Sequence, residues 1–125
     1  MEDTVTYGYT ALKEYKGGVK TPLLSLKTIL EQYSNALNGD LLLKMDCKGC
    51  EYSLLEEDDE TLKKFKKIVL EFHYGYKNIE SKLKHAGFST KVLRIEKSYG
   101  EVPSLKSMAL KNNDYTFGIL CAELI

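Results

Sequence analysis

Two short apolar runs constrain this chain more than any other feature. Leu41-Leu42-Leu43-Lys44-Met45-Asp46 and Ile68-Val69-Leu70-Glu71-Phe72-His73 are of strand length, mostly hydrophobic, and close on an acid and a histidine. Turn formers bound them, Gly39-Asp40 and Gly49 around the first and Gly75 after the second. This is the profile of strands buried on both faces, which occur where helices cover a sheet. Between them, Leu54, Leu55, Leu62 and Phe65 predict a helix within Tyr52 to Lys67. Acids 56–60 near its start and lysines 63–67 near its end suit the helix dipole, and the charge run reads as a solvated helix face. Asn78 to Ala86 repeats the helical spacing and Gly87 is placed to end it; Phe88 to Ile95 and Thr116 to Ile125 read as strands. The order strand, helix, strand, helix, strand, irregular segment (Lys97 to Asp114), strand predicts an α/β fold. Its sheet is expected to be mostly parallel, with an antiparallel strand at the C-terminal edge.

Ahead of residue 40, Thr4 to Thr10 alternates at period two and predicts a short strand, and Lys16-Gly17-Gly18 a turn. From Pro22, Leu23, Leu26, Ile29, Leu30, Tyr33 and Leu37 recur at helical spacing, with Thr21-Pro22 or Ser25 to start the helix and Asn38-Gly39 to end it. A helix of about four turns is expected. With 125 residues the chain is one domain's worth, and no repeat divides it.

Composition narrows the partners. Eighteen basic residues balance eighteen acidic ones, so no overall field favours nucleic acid or an anionic membrane. All but one of the basic residues are Lys, Arg94 being the exception, which counts against bidentate recognition of phosphates. No stretch has the length of a membrane span and the start is acidic, so a cytoplasmic location with reduced thiols is expected. The nine tyrosines are not interleaved with a basic run and read as core-edge and surface residues. No P-loop and no serine-nucleophile signature is present.

In α/β sheets ligands gather beyond the carboxyl ends of the strands, which singles out Asp46 and His73. The plain structural alternatives are a helix-capping role for Asp46 and a loop-carbonyl partner for His73. Cys47-Lys48-Gly49-Cys50 follows the first strand where a thiol-redox pair would sit, although an acid before the first cysteine disfavours its thiolate. A zinc site from Cys47, Cys50, Cys121 and either His73 or His85 would have only one close-spaced pair, and no metal is expected.

These residues also carry a resemblance. Leu43-Lys44-Met45-Asp46-Cys47-Lys48-Gly49-Cys50-Glu51, followed by Tyr52 and Leu54-Leu55, resembles the L-K-x-D-x-E-G-x-E turn of the FkbM-type methyltransferases. Val19 to Leu26 resembles the lead-in to that family's helix, Ile68 to His73 its next strand ending E-x-H, and Leu83 to Phe88 the helix exit; the likeness covers residues 19–95. It implies the second half of a Rossmann-like methyltransferase sheet, S-adenosylmethionine (SAM) as cofactor, and methyl transfer to the oxygen of a small-molecule or glycan acceptor. Asp46, Gly49 and Glu51 then fall on the cofactor side. Asp46 orients a reactant, and His73 or Glu71 takes a proton from an acceptor hydroxyl. Lys48 stands where the family carries a second acid, and no G-x-G-x-G occurs. Residues 1–125 thus read as one partial domain, a truncated, split or degenerate enzyme, whose open sheet edge invites a second copy or an N-terminal half. The alternatives are a non-catalytic self-associating or partner-binding domain and a C-x-x-C redox protein.

Overall fold

The computed structural model describes residues 24–47, 49–97 and 116–125. The expected strand at Thr4 to Thr10, the turn at Lys16 to Gly18 and nearly all of the Lys97 to Asp114 segment lie outside the described residues, as does Lys48.

Helix α1 (Leu26–Gln32) starts at Ser25, whose side chain accepts from the Thr28 N–H at 3.1 Å, one of the two predicted starts. It is shorter than expected. None of its residues is fully buried, and Leu26 and Leu30 reach the core only in part, so little burial supports a longer helix. The Leu26 N–H is tied to Glu57 Oε1 at 3.2 Å.

Strand β1 (Leu41–Met45) turns Leu41, Leu43 and Met45 toward the core. Gly49, at φ 106°, then reverses the chain into a 3-10 helix (Cys50–Glu56). The predicted helix from Tyr52 to Lys67 is not continuous. Three residues per turn align Glu51 with Leu54 on the buried side. Asp58 then takes an extended conformation and caps α2 (Asp59–Leu62), its carboxylate accepting from the Thr61 N–H at 2.7 Å. That hydrogen bonding lowers the Asp58 pKa. Strand β2 (Phe65–Phe72) begins earlier than expected because Phe65 is buried in register with Leu41; Lys66 and Lys67 therefore belong to a strand, not to a helix face. Helix α3 (Lys77–His85) and its stop follow the sequence reading, with Ile79, Leu83 and Ala86 buried and Gly87 at φ 104° donating to the Lys84 carbonyl.

Strands β3 (Phe88–Lys97) and β4 (Thr116–Leu124) join β1 and β2 in a mixed sheet that, among the described residues, has four strands in the order β1-β2-β4-β3. The expected arrangement is corrected here. Among the described residues only β1 and β2 pair in parallel, and β4, antiparallel to both neighbours, lies inside the sheet and not at its edge. The burial pattern gives the reason. Gly118, Leu120 and Ala122 are buried on one face of β4 and Phe117, Ile119 and Cys121 half-buried on the other, whereas β3 carries exposed polar residues at alternate positions and tolerates an edge. β1, β2 and β3 nevertheless point the same way, which puts the carboxyl ends of β1 and β2 side by side. The core joins Ile68, Leu70, Phe72 and Leu120 of the sheet to Leu54, Leu62, Ile79 and Leu83 above it. No described helix is long and apolar enough to cross a membrane.

Candidate active site

At the carboxyl ends of β1 and β2 the structure assembles four of the residues singled out from the sequence. Glu51 is the anchor. Its side chain is 0 % exposed, with Oε1 accepting the Gly49 N–H at 2.8 Å and Oε2 lying 2.9 Å from His73 Nδ1. With a carboxylate as acceptor, Nδ1 carries the proton and Nε2 presents its lone pair on the opposite side of the ring. Nε2 faces Glu71 Oε1 at 3.5 Å. Glu71 in turn shares a hydrogen bond with Asp46, the first residue past β1.

Burial, then that hydrogen bond and the negative charge of Asp46, push the Glu71 carboxyl above its usual range, while His73 and Arg94 oppose the shift more weakly. The set therefore runs from an enclosed carboxylate through an imidazole to two hydrogen-bonded carboxyls. Because folded Glu71 holds its proton more tightly than the unfolded chain does, its stabilising contribution is full at low pH. That contribution declines as pH rises from about 4.5, the ordinary glutamate value, through the raised one. Glu71→Gln is expected to remove that decline, so that its urea midpoint gains on wild type across this window; midpoints that stay parallel in pH would exclude the upward shift at Glu71.

The loop after β2 is fixed by Tyr52, whose hydroxyl donates to the Gly75 carbonyl at 2.7 Å and accepts the Tyr74 N–H at 2.7 Å. Asp46 does not cap the following helix, whose N-cap is Gly49, and His73 engages Glu51 and faces Glu71. Sequence reasoning missed the Glu51–His73 pair and the Tyr52 pin, because Glu51 lies in the 3-10 helix after β1 and His73 just past β2, and no spacing rule joins them. Arg94 was noted only as the lone arginine, yet its charge reaches Glu71.

The expectation of reduced thiols is overturned at the same turn. Cys47 and Cys50 form a disulfide, the C-x-x-C turn holding their Cα atoms 5.6 Å apart, within the span such a bond requires. Their sulfurs are thereby withdrawn from the zinc set considered above, and His85 pairs instead with Asp59 Oδ2 at 2.9 Å. Among the described residues no three His, Cys, Asp or Glu side chains gather around a metal position.

The family model for the methyltransferase FkbM domain matches residues 2–90. The chain belongs to the FkbM methyltransferase domain family. The match takes in both carboxyl ends and all four relay residues, and it starts upstream of the likeness read from the sequence. No curated protein and no solved structure matches the chain. The family implies a SAM-type methyl donor in general. Against such a group this domain offers the exposed carboxylate of Asp46, suited to a cationic sulfonium or ammonium, but Glu51 is enclosed and the Gly49 N–H is spent on it. The residues described do not by themselves fit the whole cofactor.

Proposed function

We propose that this FkbM-family domain carries the acid–base half of a SAM-dependent O-methyltransferase site with a Rossmann-like sheet. The observation that supports the reading is His73, oriented by buried Glu51 and aimed at Glu71 beyond the carboxyl ends of two parallel strands. Methylation of an alcohol by a sulfonium donor forms an ether and a thioether and releases one proton, and His73 Nε2 is where that proton goes. Glu51 is a positioning residue, fixing the tautomer and stabilising the imidazolium that forms. Glu71 and Asp46 pass the proton on, and Asp46, exposed at the rim, orients the acceptor's hydroxyl. The donor pocket is completed by a second copy of the chain along β1, an outermost strand among the described residues.

Calorimetric titration with SAM and its demethylated product, followed by transfer of an isotope-labelled methyl group to monosaccharides and polyols, tests the proposal. Label is expected in an ether product, and His73→Ala is expected to lower turnover about 10²- to 10⁴-fold with donor affinity retained. A folded chain that binds neither compound and transfers no label overturns the reading. Full activity in His73→Ala overturns the assignment of the base.

A further inference from the structure

The Cys47–Cys50 disulfide closes the turn that carries both Asp46 and Glu51, and nothing in the acid–base relay uses it. Cys47 directly follows Asp46, and Cys50 directly precedes Glu51. Cys47 Sγ lies 3.9 Å from Glu51 Oε1, the oxygen that accepts the Gly49 N–H, while the second oxygen of the same carboxylate holds His73 Nδ1. A change at the sulfurs thus reaches the imidazole through one carboxylate. The remaining thiol, Cys121, sits in β4 opposite Val69 and Lys91, away from this turn in the register of the sheet.

We propose that Cys47–Cys50 is a reversible redox site, reduced by a dithiol, whose state is transmitted to His73 through Glu51. In the reduction a thiolate of the dithiol attacks one sulfur, the S–S bond breaks and a mixed disulfide forms; the reductant's second thiolate then displaces the protein sulfur. The dithiol leaves as a disulfide, and its two electrons and two protons end on Cys47 and Cys50 as thiols. Two things change at the turn. The ring that holds Gly49 at φ 106° loses its covalent closure, and Cys47 gains an S–H, a weak donor within reach of Glu51 Oε1, where it competes with the Gly49 N–H. Both changes loosen the carboxylate that orients the imidazole. The inference rests on this geometry and needs no methyl donor, so it stands or falls apart from the proposed methyl transfer.

The test compares the full chain in oxidised and in reduced dithiothreitol by thiol counting and by proton–nitrogen magnetic resonance. On reduction the free thiols are expected to rise from one to three. The His73 Nδ1–H resonance is expected to shift or broaden, and the Gly49 amide to exchange with solvent roughly tenfold faster or more. Oxidised dithiothreitol should restore all three readings. The double variant Cys47→Ser/Cys50→Ser should show the reduced-state signals and ignore the dithiol, whereas Cys121→Ser should respond as wild type does. If the double variant does not fold, the single variant Cys50→Ser carries the same expectation. A thiol count that does not respond to either reagent, or one that changes while the His73 and Gly49 signals stay in place, overturns the proposal.

Discussion

Replacing Glu51 with Ala is expected to cost the folded state about 3 kcal/mol, the penalty of breaking a buried charge-assisted network. The side chain is 0 % exposed and serves two donors from two loops, the Gly49 N–H and the His73 ring. Alanine removes the acceptor from a buried amide and leaves a void beside Leu54, so both polar and packing losses contribute. Glu51→Gln keeps one carbonyl acceptor but presents an NH2 group to one of the two donors, and roughly half of the loss is expected. Urea unfolding at neutral pH reads both, with the slope against denaturant unchanged and only the midpoint moving. A loss below about 0.5 kcal/mol for Glu51→Ala, the range of ordinary surface substitutions, would show that the relay is not anchored at this residue.

Gly118→Ala is the second large effect, a loss of about 3 kcal/mol or more from overpacking against backbone that cannot yield. Gly118 is buried in β4 between Phe72 of β2 and Ile95 of β3. The register of β3 shifts between Val92 and Arg94, and this irregularity brings the Arg94 carbonyl onto Gly118, where a Cβ would run into its oxygen and carbon. Unlike a clash with a flexible side-chain end, this one is relieved only by moving β3 away from β4. Arg94 would move with it, weakening the positive charge that acts on Glu71, so the pH window of Glu71 is expected to shift upward in the same variant. Gly39→Ala is the control. Gly39 has φ 72° but open space around it, and only backbone strain of about 1 kcal/mol is expected there. Equal losses at the two positions would mean that the close approach at Gly118 does not constrain the sheet.

The elements that the sequence predicted well are those whose burial pattern is local. β1 and β2 announce themselves as apolar runs, α3 by its i, i+4 spacing and the glycine after it, and Asp46 and His73 by their position at strand ends. The reading failed where local preference met competition. Acids 56–60 look like a helix start, but Asp58 satisfies a cap of its own, and Phe65 gains more from the sheet than from a helical turn. The place of β4 was half legible: its antiparallel direction was expected and holds, but its position inside the sheet and its two partners were not.

The sequence by itself determined the α/β class, the family, and the two strand ends that hold the candidate residues. Only the tertiary structure decided that Glu51 holds His73, that Glu71 meets Asp46 across the ends of β2 and β1, and that Cys47 and Cys50 are joined. The physical reason is one of range. Hydrophobic periodicity and caps act over a few residues and leave their mark in the chain, whereas a hydrogen bond across 22 positions exists only once two parallel strands have brought their ends together.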